Sequence, residues 1–155
     1  MRNLEEWSSL STAITDLIVN DYCCNDRELI NVDLSAYKRL KRIEIGTHCF
    51  IFVKELIVDG LKELESVMIG ENCFTKYKNA CGNNPNRHFY VKNCPSLKEL
   101  KMGRYSFSDY TLCEIKNDDA LETIEIGSMT QRSSNFNCGS FMLKSSPFFV
   151  DSRVD

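Results

Sequence analysis

Several residue types and motifs that mark common functional classes are scarce in this chain of 155 residues. It has only two histidines and three prolines, and no two of its eight cysteines are separated by two residues, as in C-x-x-C. Because zinc sites are usually built on such pairs, the sequence predicts no metal centre. The glycines are dispersed and no G-x-x-x-x-G-K motif is present. We therefore expect no phosphate-binding loop and no cofactor.

Long apolar runs and an excess of one charge are also absent. The first residues lack an apolar stretch of signal-peptide length, and no later window approaches the length of a membrane span. The 19 basic and 22 acidic residues nearly balance, so nothing attracts the whole chain to nucleic acid or to an anionic membrane. We expect neither a membrane nor a nucleic-acid partner. We also expect a cytoplasmic location, where cysteines stay reduced.

What the chain does contain is one short segment repeated four times. The copies begin with leucine and end with glycine, at Leu40–Gly46, Leu64–Gly70, Leu97–Gly103 and Leu121–Gly127. The glycine spacings are 70 − 46 = 24, 103 − 70 = 33 and 127 − 103 = 24. A fixed period of this size indicates a repeat architecture within one domain. The repeats span about 14–39, 40–63, 64–96, 97–120 and 121–148, between an N-terminal cap (1–13) and a C-terminal end (149–155).

Two segments in each unit alternate apolar and other residues over three to five positions, the pattern of short half-buried strands. When the units are aligned, apolar residues form columns, such as Ile43 with Val67. This predicts a β-rich solenoid with two short parallel strands per coil. Asn20 takes the place of Gly46 in a degenerate first repeat, and we expect both residues in the left-handed backbone conformation.

Cysteines and phenylalanines form two further columns. The third position after each glycine holds Cys49, Cys73, Ser106 and Thr130, with Cys23 in the first repeat. The next position holds Phe50, Phe74 and Phe107. We predict that Cys23, Cys49 and Cys73 are buried free thiols, and that Cys81 and Cys138, which lie in loops, react first with thiol reagents.

The N-terminal segment predicts a short helix, because Leu4, Trp7 and Leu10 follow helical spacing. A stacked array leaves the apolar edge of its first coil open, and we interpret this helix as the cap that covers it. The alternative is an amphipathic helix that binds a partner.

The pattern L-x-x-I-x-I-G-x-x-C/S-F, followed by an apolar segment such as Phe89-Tyr90-Val91-Lys92-Asn93-Cys94-Pro95-Ser96-Leu97, resembles a leucine-rich repeat. It is most similar to the BspA-like family, and the resemblance covers about residues 14–149. It implies a right-handed solenoid that acts as a protein-interaction surface. The family brings no catalytic residues. One departure is Asp118, which occupies the apolar position of Cys94 in the next unit.

Two loops interrupt the period, and insertions in repeat proteins commonly mark the binding face. The loop 75–88 has nine extra residues and carries Lys76, Tyr77, Lys78 and Arg87; the other loop is 131–139. The extra residues in both loops could equally be surface insertions that the fold tolerates and that bind nothing. The outward strand positions complete the predicted surface: Arg42, Glu44, Ser66, Met68, Glu99, Lys101, Thr123 and Glu125.

The sequence therefore predicts a non-enzymatic scaffold that binds another protein through the outward strand face and the long loop. The alternative is a structural or self-associating repeat segment of a larger assembly. Its ends would pair with further repeats or with copies of itself, and Phe148, Phe149 and Val150 lie at the C-terminal end. A thiol-dependent enzyme is a remote third hypothesis. His48 adjoins Cys49 but should point outward while Cys49 points inward, and His88 shares the long loop with Cys81 without a third group to orient them.

Overall fold

A computed structural model describes residues 3–78, 86–128, 130–137 and 139–144. These contain one helix and ten strands: α1 (Leu4–Ser8), β1 (Asp16–Val19), β2 (Asn31–Asp33), β3 (Arg42–Ile45), β4 (Glu55–Asp59), β5 (Ser66–Ile69), β6 (His88–Lys92), β7 (Glu99–Met102), β8 (Leu112–Lys116), β9 (Thr123–Ile126) and β10 (Ser140–Lys144). Sheet A has the order β1-β3-β5-β7-β9 and sheet B the order β2-β4-β6-β8-β10. All pairings are parallel, so the chain forms a β-solenoid of about five turns. The predicted β-rich solenoid with two strands per coil is confirmed.

The strand register follows the repeat alignment. Arg42 pairs with Ser66, which pairs with Glu99, so successive coils of sheet A are 24 and then 33 residues apart (66 − 42 and 99 − 66). The inward residue Ile43 pairs with Val67 in the same register and is 1% exposed. Alternation of apolar and polar residues therefore places one side of each strand in a common core between the two sheets.

A column of stacked phenylalanine rings runs through this core. Phe74 stacks on Phe50 at 5.0 Å between ring centroids and on Phe107 at 4.8 Å. A fourth ring, Phe136, stacks on Phe107 at 5.4 Å. Phe136 was not predicted for this column. The repeat alignment assigned the exposed Thr130 to the cysteine column, so the corner of the last coil was placed several residues too early.

The left-handed backbone expected at the repeat glycine and at Asn20 is found in only one copy. Gly127 has a φ of +73°, whereas Gly46, Gly70, Gly103 and Asn20 do not have positive φ angles. A Cβ atom on Gly70 would lie 2.5 Å from the carbonyl oxygen of Gly46, and one on Gly103 would lie 2.6 Å from the nitrogen of Glu71. These glycines are therefore required by the close approach of successive coils. Asn20 belongs to the first coil, where no earlier coil crowds its side chain.

The two ends of the solenoid differ. Helix α1 is shorter than the predicted 1–13 segment, and Leu4, Trp7 and Leu10 pack against the core. At the other end, the core-facing side chains of Phe141 and Leu143 are 41% and 62% exposed. Residues 145–155, which include Phe148, Phe149 and Val150, lie outside the described residues. No helix in the described part of the chain is both long and apolar enough to cross a membrane.

Candidate interaction surfaces

The predicted residues of sheet A lie on its outer face, where both cations form ion pairs. Arg42 Nε lies 2.9 Å from Asp16 Oδ1. Lys101 Nζ lies 3.8 Å from Glu99 Oε1 and 3.9 Å from Glu125 Oε2. Since each of these cations already has a carboxylate neighbour, the face offers little unbalanced charge to a partner.

Apolar exposure on the same face is interrupted. Met68 is 41% exposed and pairs with Glu44 on one side and Lys101 on the other. Ile18, which is 46% exposed, lies beyond Glu44 in the same outward column. Sheet A therefore presents two separate apolar contacts within a charged surface, with no continuous apolar patch between them.

Three of the four predicted loop residues are on the surface, and the fourth is not. Lys76, Tyr77 and Lys78 are exposed, whereas Arg87 is 3% exposed. Arg87 Nη2 donates hydrogen bonds to the carbonyl oxygens of Val53 and Phe74, both at 3.0 Å. The prediction that Arg87 contacts a partner is wrong, because these carbonyls and a buried carboxylate hold the guanidinium inside.

That carboxylate belongs to Asp109, which connects the two ends of the long loop. Asp109 Oδ1 lies 3.5 Å from Arg87 Nε. Its Oδ2 accepts hydrogen bonds from the backbone N–H groups of Lys76 and Tyr77, both at 3.2 Å. Residues 79–85 lie outside the described part of the chain, but both flanks of the loop are attached to one buried side chain. Repeat alignment could not find this contact, because it has no counterpart in the other coils.

A cluster of aromatic and basic side chains lies beside the loop. Lys76 Nζ lies 5.9 Å from the ring centroid of Phe52 and 5.1 Å from that of Tyr77. Arg27 also lies over Phe52, at 5.7 Å, and Lys78 lies 5.2 Å from the Tyr105 centroid. We call this the corner patch, and it comprises Arg27, Phe52, Lys76, Tyr77, Lys78 and Tyr105. Only its loop residues could be predicted from the sequence, since the others come from three different coils.

Sheet B carries a further surface that the sequence analysis did not propose. Lys92 Nζ lies 4.3 Å from the ring centroid of Tyr90 and 3.0 Å from Glu114 Oε2. Lys144 approaches the other oxygen of Glu114 at 3.1 Å. Hydrogen bonds from Lys92 and then Lys144 lower the pKa of Glu114 below its usual range. On sheet B, as on sheet A, Lys92 and Lys144 therefore already have a carboxylate partner within the chain.

The cysteine column has a structural role. Cys49 and Cys73 are 0% exposed, and their Sγ atoms donate to the carbonyl oxygens of Asn20 at 3.0 Å and Gly46 at 2.9 Å. Ser106 Oγ makes the equivalent bond to Gly70, at 2.6 Å. In the last coil the position belongs to Asn135, which donates to Gly103, and not to Thr130. The column therefore holds small donors that satisfy the carbonyl groups of the preceding coil.

Two thiol predictions are confirmed and one is corrected. Cys49 and Cys73 are free and buried as predicted, whereas Cys23 is only half-buried because it lies in the first coil. Burial raises the pKa of the neighbouring Cys24 thiol to about 12. Cys81 and Cys138 lie outside the described residues, so their faster reaction with thiol reagents stays a prediction.

The histidines lie apart from the buried thiols. The ring of His48 stacks on Tyr22 at 4.8 Å, on the outer side of the coil, while Cys49 faces the core. His88 lies on sheet B, with Nδ1 4.0 Å from Glu55 Oε2. Among the described residues, no group of three or more histidine, cysteine, aspartate or glutamate side chains could hold a metal ion.

Comparisons with known proteins do not identify a family. No protein-family model matches the chain, and neither a curated protein nor a solved structure gives a significant match.

Proposed function

We propose that this protein is a non-enzymatic scaffold that binds another protein at the loop-bearing corner of the solenoid and on the outer face of sheet A. In this proposal the solenoid is a right-handed leucine-rich-repeat array of the BspA-like type, and α1 is its N-terminal cap. A cytoplasmic location belongs to the same proposal. The observation that supports it best is the buried Arg87–Asp109 pair, which attaches both flanks of the inserted loop.

A buried ion pair of this kind is costly to form. Taking an arginine and an aspartate out of water costs several kcal/mol per ion before their attraction and hydrogen bonds offset it. Extra surface length, by contrast, costs little entropy and needs no buried anchor. A loop of tolerated length would therefore not require Arg87 and Asp109, whereas a loop that must present Lys76 and Tyr77 in a fixed position would.

The two surfaces would contribute in different ways. At the corner, Tyr77 is 58% exposed and lies between two lysines, so it offers a large apolar contact with charges beside it. On sheet A, Met68 is the main apolar contact within a self-paired charged surface. We propose that the corner supplies the central contacts and that Arg42, Glu44, Glu99, Lys101 and Glu125 form a polar rim.

Panning a random peptide library against the purified chain tests the proposal. The same selected peptides are then titrated against a variant lacking residues 78–86, which removes the nine extra residues but keeps Arg87. We expect peptide ligands for the wild type and at least tenfold weaker binding to the shortened variant, with Met68→Asp producing a smaller loss. Failure to select any ligand, or equal affinity for the shortened variant while it stays folded, contradicts the proposal.

Self-association through the C-terminal end is the second candidate, and one observation favours it. Ile126, Phe141 and Leu143 occupy core-facing positions of the last coil, yet they are 38%, 41% and 62% exposed. Because α1 covers the first coil, two copies would meet through their last coils around a two-fold axis. Sedimentation should then show a dimer that Leu143→Glu dissociates and Ser140→Glu, on the outward side of β10, does not. A monomer at all concentrations removes this candidate.

A further inference from the structure

We infer that the corner patch binds an extended acidic segment of a protein partner. The inference rests on the proposed function and adds the chemistry of the ligand. It starts from a difference between the cations of the corner patch and those of the two sheets.

The basic side chains of the corner patch form no direct ion pair within the described part of the chain. Arg27, Lys76 and Lys78 have no carboxylate within 4.0 Å among the described residues, and residues 79–85 contain neither aspartate nor glutamate. On the sheets, by contrast, four of the five lysine and arginine residues of the strands have carboxylate neighbours: Arg42, Lys92, Lys101 and Lys144, with Lys116 as the exception. Three uncompensated cations in one area are notable in a chain whose net charge is −3.

Three acidic residues near the corner patch already have partners within the chain. Glu71 forms a two-pronged hydrogen bond with Arg104, with both distances at 3.1 Å, and this contact lowers the pKa of Glu71. Asp26 Oδ2 accepts from the backbone N–H of Leu4 at 2.9 Å. Asp109 is buried against Arg87. The counter-charge of the patch must therefore come from outside these groups.

The arrangement of the rings favours an acidic peptide over single-stranded nucleic acid. Nucleic-acid sites of this type need open aromatic faces on which bases can stack. Here Lys76 lies over both Phe52 and Tyr77, and Lys78 lies over Tyr105. These cation–π contacts occupy ring faces and hold the ammonium groups at the surface, where carboxylates can reach them.

The dimensions of the patch suit a short extended segment. Its members come from four successive coils, from Arg27 in the first to Tyr105 in the fourth. Neighbouring strands of a sheet are about 4.8 Å apart, so three steps span about 14 Å. An extended chain rises about 3.3 Å per residue, so roughly four or five residues cover this distance. Two or more of them would be aspartate or glutamate, opposite Lys76 and Lys78.

Fluorescence anisotropy with defined probes tests the inference. The probes are a labelled peptide of alternating glutamate and serine, its lysine–serine counterpart, and a single-stranded oligothymidylate of equal length. We expect the glutamate peptide to bind, the lysine peptide not to bind, and added salt to weaken the binding. The double variant Lys76→Gln/Lys78→Gln should lose roughly two- to thirtyfold in affinity, as expected for two exposed ion pairs. Lys62→Gln/Lys98→Gln removes the same charge elsewhere and should change affinity by less than twofold.

The opposite results overturn the inference. No binding of the glutamate peptide, equal binding of the two peptides, or equal losses in both double variants would exclude an acidic ligand at this patch. Tighter binding of the oligothymidylate than of the glutamate peptide would assign the patch to nucleic acid instead. If library panning nevertheless yields ligands that depend on the loop, the proposed function stands and only the acidic chemistry is wrong. If panning also fails, both are wrong.

Discussion

Asp109 Oδ1 lies 3.5 Å from Arg87 Nε, and the two side chains are only 5% and 4% exposed. The pair joins the residue just before β6 to a residue in the next coil, and through the second oxygen of Asp109 it also fixes Lys76 and Tyr77. The position of the surface loop therefore depends on two residues in the interior.

Removing one member of this pair should strongly lower the free energy of unfolding. Arg87→Met leaves a buried carboxylate without its cation, and such losses are about 3–5 kcal/mol in the free energy of unfolding. Asp109→Asn should also destabilise, and the double variant should cost clearly less than the sum of the two single variants. Urea denaturation measures all three. Arg42→Met, which breaks an exposed pair with Asp16, should cost at most about 1 kcal/mol. Additive losses at positions 87 and 109 would show that the pair is not coupled.

The hydrogen bonds of the cysteine column predict which cysteine can be replaced by serine. Cys73→Ser should change the free energy of unfolding by at most about 1 kcal/mol, because its hydroxyl can donate to the carbonyl of Gly46 as Ser106 does to Gly70. Cys113 is equally buried and has no hydrogen-bond partner among the described residues. Cys113→Ser should therefore cost about 1–3 kcal/mol, because it buries an unsatisfied hydroxyl. Thermal unfolding that ranks the two variants in the reverse order would refute this role for the column.

Two glycines should respond differently to substitution. Gly70→Ala places a Cβ atom 2.5 Å from the Gly46 carbonyl oxygen, so coils must separate and we expect a loss of about 3 kcal/mol or more. Gly60 has a φ of +66°, and Asn93 and Asn117 adopt similar angles, +54° and +58°. Gly60→Asn should therefore change stability by no more than about 1 kcal/mol. Chemical denaturation of both variants decides the matter, and a well-tolerated Gly70→Ala would contradict the close approach of the coils.

Asp118 predicts a pH dependence. It is 7% exposed, its Oδ1 accepts from the backbone N–H of Cys94 at 2.8 Å, and burial raises its pKa from 3.8 to about 6. Because the folded state favours the protonated form, this residue destabilises the protein above pH 6, and the penalty disappears as the pH falls toward 4. Asp118→Asn should therefore be more stable than wild type at pH 8, by up to about 3 kcal/mol, and similar near pH 4.

Glu122→Gln, at an exposed position, is the matched control and should follow wild type at both pH values. Denaturation curves at pH 8 and pH 4 give the comparison. A gain for Asp118→Asn that is equal at both values would mean that its charge is not the cause.

Much of the coil could be predicted because its signals are periodic. The inward residues Ile43 and Val67 recur at one spacing, and slipping the register by one residue would bury their charged neighbours. Phe136 was missed because an insertion after Gly127 moves this phenylalanine farther from its glycine than in the other coils. Arg87 was misplaced because its partner, Asp109, is a single long-range contact, and such a contact leaves no periodic trace in the sequence.

The reason for the glycine column was also beyond the sequence. A repeated glycine is compatible with either a left-handed backbone or a crowded one. The structure shows crowding at Gly70, where a Cβ atom would lie 2.5 Å from the Gly46 carbonyl oxygen, and a positive φ at Gly127. The members of the corner patch were likewise hidden, because Phe52 and Tyr105 approach the loop only when coils stack.

Site-specific photo-crosslinking tests the central claim, that partners bind at the loop-bearing corner, most directly. A photoreactive amino acid is placed in turn at Tyr77, Met68, Ile57 and Leu143, which sample the corner, sheet A, sheet B and the last coil. Each variant is illuminated with a library-selected peptide and analysed by mass spectrometry. We predict the highest crosslinking yield at position 77 and a lower yield at position 68. The highest yield at position 57 or 143 would contradict the account.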